Sequence, residues 1–201
     1  WEWSRLQNIS EYIQRGKGPV YADSGKVSVI SQKCVQWEGF DLSAARFVDD
    51  ASLSFYKSER FLKSQDLLWN STGTGTVGRV NVIERIHEQN LVADSHVTVV
   101  RTLDVQAKYF CTYISAPSVQ SRIEPTHKFS LVSGSTQQVE LNTSNVVLLP
   151  IPVPPLDEQH RIVAKIDELM VLCDQLKTGL SEVRINQLHL ADAITEQALG
   201  D

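Results

Sequence analysis

A regular hydrophobic repeat runs through the last quarter of the chain. From Ile162 onward, a set of positions alternates steps of four and three residues, and nine of these eleven positions are apolar. A heptad pattern sustained over about five heptads is typical of a coiled coil rather than of a short surface helix. The predicted seam positions are Ile162, Ile166, Leu169, Cys173, Leu176, Leu180, Val183, Gln187, Leu190, Ile194 and Gln197.

Proline marks the start of this helix. Residues 149–155 contain alternating prolines, which fix φ and lack the amide hydrogen that a helix needs, so we predict an extended segment there. Pro155 suits the first helical turn, and the helix dipole favours the carboxylates of Asp157 and Glu158 just after it. We therefore predict a helix that begins near residue 155.

The boundary at these prolines divides the chain into two predicted domains, residues 1–154 and residues 155–201. A helix over the second domain would be roughly 65 Å long at about 1.5 Å per residue. We expect so long a seam to need a second helix as its partner, and a helix that folds back on its own domain is the alternative.

Residues 1–154 show short patterns of both kinds. Runs rich in Val, Ile and Thr predict strands at residues 27–30, 66–69, 77–83 and 96–101. Helical patterns are found at residues 51–57, 105–115, 118–124 and 142–147. The predicted fold class is α+β: a globular domain with short twisted strands and small helices, followed by one long C-terminal coiled-coil helix.

Composition narrows the class of protein. Hydrophobic residues make up 42% of the chain and charged residues 21%, as in globular proteins. The longest apolar run, residues 146–153, is too short to cross a bilayer, and we expect no membrane partner. Cys34, Cys111 and Cys173 lack the spacing of a disulfide framework or a zinc site, so we expect a reduced, cytoplasmic protein. The chain starts at Trp1 without an initiator methionine, which allows it to be a piece of something longer.

Charge is unevenly distributed along the chain. Residues 1–154 contain 15 basic and 15 acidic residues, whereas residues 155–201 contain 4 basic and 9 acidic residues. The net charge of −5 therefore lies in the predicted helix. This balance argues against a non-specific nucleic-acid binder, but it allows a neutral domain with a local basic face.

Four polar loops are candidate binding elements. Residues 71–78 fit the GxGxxG pattern, but a strand is predicted to follow, not the helix that a dinucleotide site requires. The other three are residues 14–19, 32–33 and 133–138. Loops of small residues let backbone amides and hydroxyls approach phosphates, and a plain solvated loop is the alternative at each position.

No catalytic constellation is evident in the sequence. Asp94, Ser95 and His96 are the residue types of a catalytic triad, but adjacent residues on a strand point to opposite faces. The histidines lack the spacing of metal ligands. We predict no catalytic residue, no metal and no cofactor.

Several segments, in this order, resemble a known family. They are residues 30–37, 71–79, 94–99 (DSHVTV), 134–142, 149–156 (LPIPVPPL) and 158–169 (EQHRIVAKIDEL). Together they resemble the DNA-specificity (S) subunit of type I restriction-modification systems. The similarity extends over nearly the whole chain, and the Pro-Pro-Leu-x-Glu-Gln start of the helix is its most specific part.

The resemblance implies a non-catalytic, sequence-specific DNA-binding module. A target-recognition domain would read one half of a bipartite site in double-stranded DNA, and the long helix would set the spacing of the half-sites. The implied partners are the methyltransferase (M) and restriction (R) subunits and a second specificity unit, either in the same subunit or as a homodimer. Adenine methylation and ATP-driven cleavage would belong to the partner subunits.

The predicted DNA contacts lie in the four polar loops and at one further lysine. Those assigned to phosphates are Lys17, Ser71, Thr72, Thr74, Thr76, Arg79, Lys128, Ser135 and Thr136. Those assigned to bases are Gln14, Arg15, Gln32, Lys33, Gln137 and Gln138, because Arg and Lys read guanine and Gln reads adenine. Two alternatives stay open: a diverged DNA methyltransferase or nuclease with an unrecognised active site, and a coiled-coil scaffold without a DNA role.

Overall fold

The computed structural model describes residues 1–86, 90–135 and 138–199, which form two compact units, Trp1–His160 and Arg161–Asp201. The strands are β1 (Glu2–Arg5), β2 (Ser10–Arg15), β3 (Tyr21–Ala22), β4 (Ser28–Ile30), β5 (Arg46–Val48), β6 (Leu67–Asn70), β7 (Val80–Val82), β8 (Leu91–Ala93), β9 (Val97–Thr102), β10 (Val132–Ser135), β11 (Gln138–Leu141) and β12 (Pro150–Val153). The α-helices are α1 (Ala107–Ser115), α2 (Pro117–Gln120), α3 (Thr143–Val146) and α4 (Leu156–Leu199). Short 3-10 helices are found at Leu6–Ile9, Leu42–Ala44, Asp50–Phe55, Ser58–Arg60 and Ser121–Ile123.

Two four-stranded sheets form the first unit, and the predicted α+β class is confirmed. One sheet has the order β2-β9-β6-β7 and is antiparallel throughout. The other has the order β3-β5-β4-β8, in which β4 and β8 run parallel. Two smaller antiparallel pairs, β1 with β12 and β10 with β11, complete the described strands.

The main core lies where these sheets meet. Leu68, Val97 and Val99 from the first sheet pack in one cluster with Ile30 and Ala93 from the second. A separate cluster joins residues of the second sheet to Tyr56. Helix α1 packs against β7 of the first sheet. Every residue of β6 is buried, which explains why its first three residues are consecutive apolar residues rather than an alternating pattern.

The strongest sequence patterns match the structure closely. The strands predicted at residues 27–30, 66–69 and 96–101 correspond to β4, β6 and β9 within one or two residues. The strand predicted at 77–83 is wrong in its first half, because the amides of Val77 and Gly78 close the preceding loop through hydrogen bonds to the carbonyl groups of Gly73 and Asn70. The helix predicted at 51–57 is a 3-10 helix.

The other helical predictions are confirmed with shorter limits. The pattern at 105–115 corresponds to α1, and the one at 142–147 corresponds to α3. The pattern at 118–124 corresponds to α2 followed directly by a 3-10 turn. The asparagine before α3, Asn142, caps it by accepting a hydrogen bond from the amide of Ser144.

The proline-rich segment is extended, as predicted, and forms strand β12. Among the described strands it pairs with β1 alone, so Pro150 and Pro152 occupy an edge strand, where a missing amide hydrogen is tolerated. Directly after it, the side chain of Gln159 is buried. Its amide nitrogen donates to the carbonyl oxygen of Pro154 at 2.9 Å, and its oxygen accepts from the amide of Gln106, the N-cap of α1, at 2.8 Å. Gln159 therefore fixes the start of α4 to α1.

Helix α4 is continuous for 44 residues and begins at Leu156, as the sequence predicts. Seam leucines lie open to solvent in the single chain, with Leu176 67% exposed and Leu180 70% exposed. The length and this apolar seam fit a coiled coil. Large apolar side chains are also exposed away from the seam, at Met170, Val171, Leu172, Ile185 and Leu188. Over the described residues, no helix is both long and apolar enough to span a membrane.

A buried ion pair joins β9 to the segment before β6. The guanidinium of Arg101 donates to both carboxylate oxygens of Asp66 at 2.7 Å, and the amide of Lys63 donates to the same carboxylate at 2.8 Å. Burial alone would lower the pKa of Arg101, but the hydrogen bonds and charge of Asp66 outweigh it, and that pKa is raised. The attraction and the hydrogen bonds between the two side chains offset the free-energy cost of removing both charges from water.

The three free thiols are expected to differ in reactivity. Cys34 is buried, and burial raises the pKa of Cys111 to about 11, so little of the reactive thiolate forms near neutral pH. Cys173 is exposed on α4. We expect a dilute sample of the native chain to show one fast-reacting thiol with a chromogenic disulfide reagent and three after denaturation. Mass spectrometry should locate the fast site at Cys173; rapid labelling of Cys111 in folded protein would contradict the packing described.

Candidate nucleic-acid interface

A polar cleft of about 1040 Å³ lies within the first unit. Its walls come from the β6–β7 loop, the β8–β9 turn, the segment that follows α2, and the β10–β11 hairpin. The polar side chains that line it are Gln32, Thr72, Thr74, His96, Gln120, Glu124, Ser133, Gln138 and Glu140. Described residues of two predicted loops, Thr72–Gly75 and Val77 from the first and Ser133, Gly134 and Gln138 from the second, thus lie at one cleft together with Gln32 from a third.

The glycine-rich loop between β6 and β7 is held by its own hydrogen bonds. The amides of Thr76 and Val77 both donate to the carbonyl oxygen of Gly73, at 3.1 and 3.0 Å. Gly73 has a φ of +105°, and a Cβ at this position would lie 2.2 Å from the hydroxyl oxygen of Thr76, so the turn needs glycine. Strand β7 follows the loop, which agrees with the rejection of a dinucleotide site.

Two residues of this loop serve its own packing. Ser71 is fully buried, and its hydroxyl is bonded to that of Thr98 at 2.5 Å. Its prediction as a DNA contact is wrong, because no ligand can reach it without unfolding the strand end. The guanidinium of Arg79 donates to the carbonyl oxygen of Gly75 at 3.0 Å and to the side-chain oxygen of Gln36. Its assignment to a phosphate stays a prediction.

The hydroxyl of Thr72 and Nδ1 of His96 lie 2.7 Å apart at the cleft. Residues 94–96 form the turn between β8 and β9, so the strand on which we placed them is wrong. The carboxylate of Asp94 accepts from the backbone amide of His96 at 2.8 Å and from the hydroxyl of Tyr21 at 3.2 Å. Asp94 therefore holds the turn, while the His96 ring interacts with Thr72.

Burial has the largest influence on the pKa values of Asp94 and of Tyr21, which donates a hydrogen bond to it. It raises the pKa of Asp94, and burial followed by the negative charge of Asp94 raises the pKa of Tyr21 to about 12. Sequence reasoning missed His96 as a site residue. The DSHVTV segment, which contributed to the family resemblance, was the signal that pointed to this position.

The prediction of a loop over residues 14–19 is wrong at its start, because Gln14 and Arg15 belong to β2. One ion pair links this segment to the cleft. Arg15, the last residue of β2, contacts Glu140 of β11 at 3.2 Å. The ammonium group of Lys17 donates to the carbonyl oxygen of Phe55 at 3.1 Å and lies over the rings of Phe55 and Tyr56. Gly16 is tightly enclosed, since a Cβ there would lie 2.1 Å from the carbonyl oxygen of Asp94.

The remaining predicted residues are distributed around this region. Gln14 on β2 and Lys33 are exposed, and exposed Lys128 lies over the ring of Phe129. The prediction of a loop over residues 133–138 is wrong at both ends, because Ser133 and Ser135 belong to β10 and Gln138 to β11. Predicted contacts at Thr136 and Gln137 lie outside the described residues.

Charge inside the cleft is negative. Among the described residues that line it, Glu124 and Glu140 carry carboxylates and none is Lys or Arg. The side-chain oxygen of Gln32 is buried beside the glycine loop without a hydrogen-bond partner in the described part of the chain. This lining suits the uncharged, hydrogen-bonding edges of bases better than it suits phosphates. Over the same described residues, no group of three His, Cys, Asp or Glu side chains could hold a metal.

The described chain thus combines an α+β unit that carries a polar cleft with a long helix that carries an apolar seam. The family model for the type I restriction modification DNA specificity domain matches residues 1–184. This match includes the first unit and more than half of α4. The chain belongs to this family.

Curated relatives from Escherichia coli agree with this assignment. The chain is 24% identical to the type I restriction enzyme EcoEI specificity subunit over 208 residues, which cover 100% of this chain and 34% of the relative. It is 36% identical to the EcoAI specificity subunit over 78 residues, which cover 39% of this chain and 12% of that relative. The chain thus spans about a third of the length of EcoEI's subunit.

Solved structures share the fold. The HsdS subunit from Thermoanaerobacter tengcongensis has a TM-score of 0.65 at 15% identity, over 91% of this chain and 45% of that one. A chain from a study of complex assembly and conformational transition in a type I R-M system has a TM-score of 0.67 at 17% identity, over 91% of this chain and 41% of that one. At these identities the likeness concerns the fold alone.

Proposed function

We propose that this chain is a DNA-reading module of a type I specificity subunit and is not itself catalytic. Residues 1–154 would form the target-recognition domain and read one half of a bipartite site in double-stranded DNA. Residues 155–201 would form the helix that spaces and assembles the complex. The observation that carries this proposal is the family match over residues 1–184, because it includes both the cleft-bearing unit and much of the long helix.

The cleft supports a division between base contacts and phosphate contacts. Its neutral and acidic lining would face base edges, with Gln32 and Gln138 offering the amides that pair with adenine. The exposed cations Lys17 and Lys128 lie outside the lining and would contact the phosphate backbone. Thr72 and Thr74, which line the cleft, would position the DNA strand between the base contacts and the phosphate contacts.

The partners follow from the same assignment. We assign methyltransferase (M) and restriction (R) subunits of the same system as protein partners, and the catalytic steps and their cofactors to those subunits. The exposed seam of α4 would pair with the helix of a second specificity unit, or with a second copy of this chain as a homodimer. The place of action would be the cytoplasm.

Selection from random DNA tests this function. The chain, assembled with its methyltransferase subunits, is offered randomised duplexes, and the bound pool is sequenced. We expect one defined half-site to be enriched, with an affinity that falls steeply as salt rises, because phosphate contacts release counterions. A bound pool without sequence preference would refute the proposal and favour a scaffold without a DNA role.

Replacing Arg15 by alanine in this complex is expected to weaken binding to the selected half-site by about 5- to 100-fold, the range for one good base contact. Arg15 lies beside the cleft at the end of β2, where its guanidinium can reach a base edge. Binding is measured by fluorescence anisotropy at fixed salt. Arg5→Ala, on β1, is the matched control. If Arg15→Ala leaves both affinity and sequence preference unchanged, Arg15 does not read DNA.

A further inference from the structure

Glu140 places a negative charge at the cleft proposed to bind DNA, where the negative charge of the phosphates makes a carboxylate unexpected. It lies on β11 at the cleft, and its side chain is 53% exposed. It forms an ion pair at 3.2 Å with Arg15, whose side chain is 30% exposed and which is 125 residues away in sequence. The pair therefore links the cleft lining to the neighbouring end of β2, two segments that the sequence does not relate.

This ion pair can open at little cost. Pairs with this much solvent exposure contribute little to stability, because water and salt screen them. Either side chain could therefore exchange its partner for a DNA group of matching chemistry. Glu124 is a second carboxylate in the lining, and no Lys or Arg is among the described lining residues. A phosphate inside the cleft would find no cation among the described lining residues.

The chemistry of base edges identifies what such a pair could recognise. An ionised carboxylate only accepts hydrogen bonds, and the major-groove donors are N4 of cytosine and N6 of adenine. In adenine the N6 donor lies beside the N7 acceptor, which a carboxylate repels. Cytosine presents its donor without such a neighbour on the same base, and the paired guanine presents O6 and N7 to an arginine.

We propose that Arg15 and Glu140 separate on DNA and together read one G·C base pair. Arg15 donates to O6 and N7 of guanine, and Glu140 accepts from N4 of cytosine. Glu140 also discourages non-specific binding, because it neutralises Arg15 in the free protein and repels phosphates from the cleft. This inference rests on the proposed function and adds Glu140 to its specificity-determining residues.

Glu140→Gln tests the inference in the same assembled complex. The variant keeps the shape of the side chain and removes its charge. By selection and sequencing, we expect the preference for G·C at one position of the half-site to fall about tenfold, the size of one lost base contact. The affinity for a duplex of unrelated sequence should rise several-fold and depend more steeply on salt, since Arg15 is then free to bind phosphate.

Two controls separate this role from a general effect of charge. Glu2→Gln removes the same charge from another exposed strand outside the cleft lining, and we expect it to leave the preference unchanged. Arg15→Ala combined with Glu140→Gln should lose discrimination at the same position as each single variant, without further loss elsewhere. Thermal unfolding should match that of the parent chain, because Glu140 is exposed.

The outcomes distinguish the inference from the function on which it rests. If the parent complex enriches no sequence, both are overturned. If the parent enriches a half-site and Glu140→Gln retains every base preference, only the assignment of Glu140 is overturned. A uniform loss of affinity across all sequences would also overturn it, since that result belongs to folding or assembly rather than to base recognition.

Discussion

Replacing Asp66 by alanine is expected to lower the free energy of unfolding by about 3–5 kcal/mol, the usual cost of leaving one partner of a buried ion pair alone. Asp66 is fully buried and accepts two hydrogen bonds from Arg101 and one from the amide of Lys63. Without it, the Arg101 charge stays in the interior of β9 with its main partner gone. The free energy of unfolding of an ordinary domain is only about 5–15 kcal/mol in total, so the folded state of the variant should be only marginally stable.

Urea denaturation followed by tryptophan fluorescence measures this loss. Asp66→Asn should fall between the parent and Asp66→Ala, because the amide keeps the shape and some hydrogen bonds but not the charge. Asp23→Ala is the matched control, since Asp23 is exposed and its change should stay within about 0.5 kcal/mol of the parent. Equal stabilities for Asp66→Ala and Asp23→Ala would mean that the Asp66–Arg101 pair does not stabilise the fold.

The second large effect is expected on α4. Leu176→Asp combined with Leu180→Asp should abolish self-association and assembly through the long helix while leaving residues 1–154 folded. Each of these leucines, exposed in the single chain, would contribute about 1.5–3 kcal/mol when a partner helix buries it. A carboxylate at either position would instead have to be desolvated in an apolar seam.

Sedimentation velocity over a range of concentrations, together with pull-down of the methyltransferase subunit, measures this effect. Val171→Asp combined with Ile185→Asp is the control, because it makes the same chemical change on the same helix away from the seam. We expect the control pair to self-associate like the parent chain. Association by the seam variant at parental strength would rule out pairing through this set of positions.

The distribution of charge fits a module in which one set of residues contacts the phosphate backbone and another set contacts the bases. Cations outside the cleft would hold the backbone without sequence preference, and the cleft itself offers amides, hydroxyls and carboxylates. A domain with equal numbers of acidic and basic residues would bind random DNA weakly on its own. Affinity would then depend on assembly with a second unit and with partner subunits, which is the role proposed for α4.

Individual elements differ in how well the sequence predicts them. The limits of α4 follow from local signals, because Pro155 and the seam spacing act within a few residues. Strands β6 and β9 follow from short runs rich in apolar and β-branched residues, most of which are buried. Strand β2 was missed, since its sequence places Glu11 and Arg15 among only a few apolar residues and its pairing with β9 supplies the order.

The candidate site was predicted less completely than the fold. Gln32, Thr72 and Gln138 do line one cleft, but so do His96 and Glu140, which sequence reasoning did not assign to it. From residue type alone, Ser71 and Arg79 were predicted to contact DNA. The structure shows that Ser71 is buried and that hydrogen bonds within the loop engage Arg79.

By itself, the sequence determined the α+β class, the extended proline segment and the long helix, because these depend on hydrogen bonds and side-chain periods that repeat within a few residues. The family followed from the resemblance of several sequence segments, which needs no tertiary contacts. Only the tertiary structure decided which loops share the cleft, that Ser71 is buried, and that Arg15 meets Glu140 across 125 residues of chain. The physical reason is that strand pairing and burial are set by non-local contacts, and a residue's chemistry does not indicate its neighbours in space.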